Sequence, residues 1–394
     1  WLCKPLRRTL TSRVVELERA AYMGGRCEAY YIGKLPPGEY IALDVNSMYP
    51  YVMKEYKYPV RCVGYIDQPE LSEVVQYLNR YGVIAEVEIN TDQPVYATRY
   101  DGKLIFPVGE FTSYLCTESL KYAIEHGHVR NIKRMSIYQL DDLFSDYVTY
   151  WYSKRKEYET AGNKVMARLC KYMLNALYGK FGEKKVMKET FDTDTGRKYW
   201  REEVIDTVKG GTWIYTYLMN KLTVEHGEGE GDKSIVSIAA HVTDNARMTL
   251  WYLMNSVGKE RVLYCDTDSV IIRREDMQYV RWPISDTELG SVKIEKVYHD
   301  LEIWGAKNYH AREGRKLKGV PDKAIEIRPG VFVYDQIARQ KTSLRNGNPR
   351  GVVVRQVVKK IIPRYDKGAV SEDGKVIPLT FSPIDRPSEL PLPF

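Results

Sequence analysis

The 394-residue chain lacks any paired cysteine spacing. Cys3, Cys27, Cys62, Cys116, Cys170 and Cys265 are scattered, with no C-x-x-C among them. That argues against a zinc site and against a disulfide framework, and for a reducing compartment such as the cytoplasm. No apolar run approaches the ~18–20 residues a bilayer-crossing helix needs, and no secretory signal is visible, so a membrane is not an expected partner. The absence of G-x-x-x-x-G-K-[ST] disfavours a P-loop ATP hydrolase. No repeat of fixed period occurs. Phenylalanine is scarce, eight against thirty-two tyrosines. The aromatic payload is therefore mostly of the kind that sets a flat apolar face beside a polar ligand.

What is present is positive charge, unevenly placed. The net charge is +7. Between Arg312 and Lys367 fifteen Lys or Arg face five Asp or Glu, so the rest of the chain is slightly acidic. A solvated basic surface would give the same count. The alternation with apolar residues, as in "GVVVRQVVKKII", fits a folded segment that grips a phosphate backbone better. Arg350, Arg355, Lys359 and Lys360 are its candidate phosphate contacts.

Along the chain, a basic helix over residues 5–22 precedes "YMGGRCEAYYIG", the turn "KLPPGEY" and the strand "YIALDV". A mixed segment fills residues 59–138. Helices are expected over 140–160 and 164–178. On the second, Lys164, Arg168, Lys171, Asn175 and Tyr178 form one polar stripe, and Val165, Leu169, Met173 and Leu177 line another side. "KVMKETFDTDTGRKYWREEVI" reads as a hairpin, and a helix over 238–256 leads to the strand "VLYCDTDSVII".

That last strand poses the chemical question. Asp266 and Asp268 lie between Val262–Tyr264 and Val270–Ile272, and buried carboxylates this close are costly without positive charge. The tripeptide recurs as Asp192-Thr193-Asp194, but there Thr-Gly follows and polar residues flank it, so those aspartates serve a turn in water. An alternating strand would send Asp266 and Asp268 to the same side; a tight hairpin or bulge would present both equally well. Asp44, in "YIALDVNSMYP", is a third carboxylate in apolar surroundings. Alone it would read as a cap or turn residue. Together the three suggest a cluster for hard divalent cations, which take a few carboxylates, water and substrate phosphates.

"DVNSMYP", "KYMLNALYG" and "YCDTDSV", in that order, resemble the three polymerase motifs of family B DNA polymerases. "YMGGR" and "GAKNY" are similar to the Y-x-G-G and K-x-Y elements of the protein-primed branch found in bacteriophages and linear plasmids, and "KLKGVPDKA" to a stretch after K-x-Y. The resemblance spans about residues 20–325. It implies an α+β right-hand fold: a palm with an antiparallel sheet, helical fingers and a basic thumb. Expected divisions are 1–58 (lead and first part of palm), 59–138 (insertion), 139–235 (fingers with a β-hairpin insertion), 236–310 (palm) and 311–394 (thumb).

The implied activity is template-directed addition of dNTPs to a primer 3′ end, with two Mg²⁺ ions for which Mn²⁺ can substitute. Asp44 and Asp268 would be the direct metal ligands, the Val45 carbonyl assisting, and Asp266 would support the site nearer the primer. Tyr49 would pack on the sugar of the incoming nucleotide and exclude a 2′-hydroxyl. Lys171 would contact the triphosphate, with Lys164 and Arg168 extending a cationic rail and Arg155 or Lys156 also in reach. Asn175 and Tyr178 would line the nascent base pair. Gly179 would let the backbone approach DNA closely; Tyr22, Gly24 and Gly25 would meet template, Lys307 and Tyr309 the primer terminus, and Lys316 and Lys318 DNA.

Ala176 stands where the family pattern has a hydroxyl, which touches nucleotide binding or fidelity but no metal ligand. The 21 residues before Tyr22 leave no room for the acidic motifs of the family's 3′–5′ exonuclease, so no such excision is expected of this chain. Its first residue, Trp1, leads to the expectation of a piece of a longer protein. Expected partners are template-primer DNA, dNTPs and a terminal protein or a further N-terminal domain, in a host-cell cytoplasm. The rival reading is an inactive, polymerase-like DNA-binding protein. Reverse transcriptases and viral RNA polymerases fit less well, because their paired aspartates are usually adjacent.

Overall fold

The computed structural model describes residues 11–194, 196, 199–205, 207, 211–231, 234–338, 352–362 and 364–382. Arg350 and the first part of the basic lead lie outside the described residues. A five-stranded antiparallel sheet forms the centre, in the order Cys27–Ala29, Tyr264–Asp266, Ser269–Arg273, Glu39–Val45, Val292–His299. Its strands are rich in β-branched and aromatic residues. Ile41, Leu43, Val270 and Ile272 are fully buried on it. Leu43 pairs with Val270 on one side and Ile294 on the other. Leu43→Ala should therefore cost about 2–5 kcal/mol, read as a lower midpoint in denaturant unfolding.

The helix expected over 238–256 spans Val236–Val257. Only Tyr252, Asn255 and Ser256 of its residues escape burial, which explains why it carries no simple amphipathic stripe. It packs against helices Ser12–Ala21, Met48–Glu55, Thr117–Glu125 and Lys164–Phe181. The segment 59–138 builds a second five-stranded sheet, in the order Thr380–Phe381, Val108–Cys116, Gly82–Thr91, Val129–Asp141, Tyr58–Asp67. The late strand Thr380–Phe381 joins it in parallel, so the chain returns from residue 360 across the molecule to an early edge.

Three expectations are corrected. Residues 140 and 141 end the strand Val129–Asp141, and the first long helix starts only at Ser145. The second helix, Lys164–Phe181, buries Ala167, Cys170, Leu174 and Phe181. Val165 is 78% and Leu169 46% exposed, because the side of the helix that meets the core is rotated from the one they share. The segment 185–205 is not a hairpin. Its two strands, Lys184–Asp192 and Tyr199–Ile205, are opposite edges of a four-stranded sheet, with Lys221–Glu230 and Thr212–Leu218 between them. Of its two aspartates one does serve a turn, Asp194, which accepts the N–H of Gly196 at 2.9 Å, while Asp192 ends the strand and pairs with Lys221.

Beyond the central sheet, Gly33–Lys34, Glu302–Gly305, Asn308–Ala311 and Gly314–Leu317 form a four-stranded sheet. Ile325–Arg328, Val331–Ile337 and Val354–Lys360 form a three-stranded one. The basic run is thus a strand, with Arg355 and Lys359 on one face beside Val357 and Lys360 on the other. Val354 and Val358 stay more than half exposed, so that side does not fold onto the body. Among the described residues no helix is long and apolar enough to cross a membrane.

Candidate active site

Asp266 and Asp268 are presented by a tight hairpin, the second of the two geometries open to the sequence. Asp266 pairs with Ser269 across it. Thr267 takes the left-handed region with φ 65°, and the N–H of Asp268 donates to the carbonyl of Asp266 at 2.7 Å. Two neighbours hold the turn. The N–H of Thr267 donates to the Arg26 carbonyl (2.6 Å), and the N–H of Val45 donates to the Asp268 carbonyl (2.8 Å). The last contact ties the turn to the strand carrying Asp44, which pairs with Ser269 and with Lys293.

The chain then turns through Asn46 and Ser47, and Asn46 fixes the turn by donating its side-chain amide to the carbonyls of Ser285 (2.7 Å) and Glu288 (3.0 Å). Ser47, at φ 54°, opens the helix Met48–Glu55, placing Tyr49 in its first turn. Across the gap, Lys171, Asn175 and Tyr178 share one face of the helix Lys164–Phe181. The Tyr49 and Tyr178 rings stack at 4.1 Å and 19°.

These residues line one open cleft of about 560 Å³, which holds Asp44, Asp266, Asp268, Tyr49, Lys171, Asn175, Tyr178, Lys307 and Lys316. Arg155 and Lys156 line it as well, and Arg155 donates to the Ser47 hydroxyl at 3.3 Å. Lys164 and Arg168 lie outside it, in a shallower depression shared with Arg155 and Lys171. Val45 is fully buried. Tyr309 is 8% exposed, its hydroxyl 3.2 Å from that of Tyr298. Lys318 is exposed and away from the cleft lining, its N–H bonded to Asn308.

Tyr22, Gly24 and Gly25 form a loop behind the hairpin. A Cβ on Gly25 would stand 2.9 Å from the Thr267 side chain, so only glycine allows this approach. At Gly179 a Cβ would meet nothing within 4 Å; the protein's own packing does not demand glycine there.

The electrostatics show what the carboxylates lack. Burial, then Asp44 and Asp266, push the Asp268 carboxyl up to about 6. Burial and Glu295 raise that of Asp44 against the opposing pull of Lys293 and Lys171. Lys293 stands 3.7 Å from Asp44. Asp266 differs, with Lys307 at 3.2 Å and Lys316 at 3.3 Å. Among the described residues no three His, Cys, Asp or Glu side chains make a ready metal cage. Asp44 and Asp268, strained towards the neutral form and facing an open cleft, do fit a hard cation that takes one or two carboxylates and completes its shell with water and phosphate.

Sequence reasoning missed Lys293 and Glu295. They alternate on the strand Val292–His299, but their face is known only once that strand pairs with Glu39–Val45. It also missed Arg247, in the long helix, whose guanidinium donates to the carbonyls of Met23 (2.9 Å) and Gly24 (3.0 Å). Arg26 was passed over too, although it is buried, bonded to Glu28 (2.7 Å) and stacked 4.1 Å over Phe106. A charged residue inside an apolar context was the available signal for both.

The family model for DNA polymerase type B, organellar and viral, matches residues 8–250. The DNA-directed DNA polymerase of Enterobacteria phage PRD1 is 26% identical over 327 residues, covering 80% of this chain and 53% of that one. The DNA polymerase of Bacillus phage phi29 is 25% identical over 334 residues, 77% of this chain and 52% of that one. A DNA polymerase of Kluyveromyces lactis is 23% identical over 353 residues, 78% of this chain and 33% of the relative. The chain thus spans a third to about half the length of these relatives.

Among solved structures, an orthorhombic crystal form of phi29 DNA polymerase superposes with a TM-score of 0.64 at 17% identity, covering 90% of this chain and 64% of that one. The phi29 enzyme complexed with primer-template DNA and incoming nucleotide substrates gives 0.60 at 17% identity, over 90% and 63%. At such identity the likeness bears on the fold, a mixed α+β architecture shared with that polymerase. With a family model matching more than half its length, the chain belongs to the type B DNA polymerases of the organellar and viral kind.

Proposed function

We propose that this chain is the polymerising part of a template-directed DNA polymerase. It adds dNTPs to a primer 3′ end, and an oligonucleotide, a protein hydroxyl and unprimed synthesis are the alternative ways of starting. The observation that carries the reading is the single cleft in which Asp44 and Tyr49, Lys171 to Tyr178, and Asp266 and Asp268 meet from three distant segments. In this reading the central sheet and long helix are the palm. The helices Ser145–Thr160 and Lys164–Phe181, with the four-stranded sheet after them, are the fingers, and the basic segment from 311 is the thumb. The likeness to a polymerase solved with primer-template DNA and nucleotides supports both partners. A terminal protein or a further N-terminal domain is a third.

Membership of the family implies metal-dependent catalysis. Asp44 and Asp268 would hold Mg²⁺, with the Val45 carbonyl in support; when bound, two such ions stabilise charge on the attacking and leaving oxygens. The chain's own residues do the positioning, which is most of what phosphoryl transfer asks of a protein. Lys171, with Arg155 and Lys156 nearby, draws the triphosphate in. Asn175 and Tyr178 bound the base-pair pocket, and the Tyr49 ring floors the sugar. Lys307 sits where the primer end must arrive. Lys164 and Arg168 extend the positive potential outward along the helix.

The test is extension with labelled dNTPs from annealed DNA, from a protein hydroxyl and from no primer. Product in any arm supports the reading; tight DNA binding without product in all three supports the inactive, DNA-binding alternative. The basic strand adds a separate expectation. DNA affinity should fall with salt at about 0.9 log units per phosphate neutralised. Replacing Arg350, Arg355, Lys359 and Lys360 together by Gln should flatten that slope and shorten products. Single-nucleotide insertion at saturating DNA should persist, and an unchanged slope would mean the strand does not meet phosphate.

A further inference from the structure

Asp266 is the carboxylate of the three whose charge the protein answers most fully, with two ammonium groups against the single, longer Lys293 contact of Asp44. Its side chain is 8% exposed. Lys307 stands 3.2 Å from Oδ1 and Lys316 3.3 Å from Oδ2, so each oxygen has its own ammonium. The Thr267 hydroxyl donates to Oδ1 at 3.2 Å. Both lysines come from one sheet. Lys307 sits in the tight turn between Glu302–Gly305 and Asn308–Ala311, at φ 61°, with its N–H donated to the Tyr264 hydroxyl at 3.0 Å.

Lys316 is aimed by its neighbours. On the strand Gly314–Leu317 successive side chains alternate between faces. Leu317 is buried in a cluster with Ala324 and Phe332, and the Arg315 guanidinium stacks 4.8 Å over Phe332. With those two committed to one face, Lys316 must leave from the other, beside its cross-strand partner Tyr309 and above Asp266. Tyr309 in turn packs edge-on against Tyr264, the first residue of the strand that ends in Asp266. The lysine is therefore delivered by a strand locked on its far side, not by a free surface loop.

We infer that Lys316 is a positioning residue: it acts through Asp266, fixing the aspartate hairpin against the sheet of residues 302–317, and does not serve as a DNA-phosphate contact. This rests on the polymerase reading for its kinetic consequence, though the pairing itself does not. Held from both sides, Asp266 keeps its carboxylate turned to the lysines, which leaves Asp44 and Asp268 as the pair open to a cation. Without Lys316 one oxygen of a nearly buried carboxylate loses its partner, and the hairpin can relax by a fraction of an ångström where geometry counts most.

The test compares Lys316→Met and Lys316→Arg in the full chain. For Lys316→Met, the rate of single-nucleotide insertion at saturating DNA and dNTP should fall about tenfold to a hundredfold. The KM for DNA and the salt slope of binding should stay as in the parent, and Lys316→Arg should recover most of the rate. A salt slope smaller by about one with an unchanged rate would make Lys316 a phosphate contact and overturn the inference. So would variants with neither change. A second readout needs no activity: thermal unfolding of the parent, Lys316→Met, Asp266→Asn and the double variant. Non-additive shifts in Tm support the pair, and additive ones refute it. A parent that extends no primer would count against the polymerase reading alone, and this cycle would still decide the pairing.

Discussion

Asp268→Asn, or Asp44→Asn, is expected to lower primer extension by about a thousandfold or more while DNA affinity stays within about twofold. The size follows from several kcal/mol of transition-state charge stabilisation lost with a metal ligand, at 1.36 kcal/mol for each tenfold in rate. Asn keeps the shape, and the Val45 N–H to Asp268 carbonyl bond belongs to the backbone, so the hairpin survives. Stability should move the other way from activity. In the metal-free protein the Asp268 carboxyl is raised to about 6 by burial, Asp44 and Asp266, so the folded state disfavours its ionised form above that pH. Asp268→Asn should therefore leave Tm at pH 7.5 unchanged or higher. Primer extension, filter binding and thermal unfolding of the same preparations check all three. Ordinary extension in either variant would remove these aspartates from the chemistry.

The second large effect is expected at Tyr49. Its ring lies against Tyr178 at 4.1 Å, and burial together with the Tyr178 hydroxyl pushes its phenol far above the usual range, so it stays a neutral, packed wall. A wall of this kind rejects a substrate carrying one extra hydroxyl by sterics. Tyr49→Val would open the space, and the preference for dNTP over rNTP should fall by about a hundredfold or more. The change should appear as better rNTP insertion with dNTP insertion largely retained, measured as kcat/KM for each nucleotide on one template. Unchanged discrimination would make Tyr49 a packing residue only.

The cleft was legible in the sequence because its chemistry sits in short contiguous runs. "DVNSMYP" contains both a carboxylate at a strand end and the ring in the first turn of the helix that follows, and "YCDTDSV" contains a whole hairpin. The long helix was legible at its ends, where the pattern of burial begins and stops. What failed needed distant partners. The 184–230 sheet could not be read because its first strand, Lys184–Asp192, pairs with the last, Lys221–Glu230, and not with its successor Tyr199–Ile205, so the local turn that follows Asp192 reads as the tip of a hairpin. The buried face of Lys164–Phe181 could not be read because Val165, Leu169 and Tyr172 are apolar yet exposed, and only the position of the core decides between two apolar stripes. The aspartate partners of Lys293 and Lys316 were beyond reach for the same reason, although Lys316 itself is named as a DNA contact. Each lysine meets its aspartate through the pairing or packing of strands far apart in the chain, and nothing within their own runs names a carboxylate as partner.

The most direct measurement is single-nucleotide incorporation by the intact chain on four annealed primer-templates that differ only in the next template base. With Mg²⁺ present, each template should yield one-base extension with the complementary dNTP and little with the other three. Removal of Mg²⁺ by chelator should abolish all four products, and Mn²⁺ should restore them. Incorporation that ignores the template base, or no incorporation on any template by protein that binds the same DNA, would contradict the account.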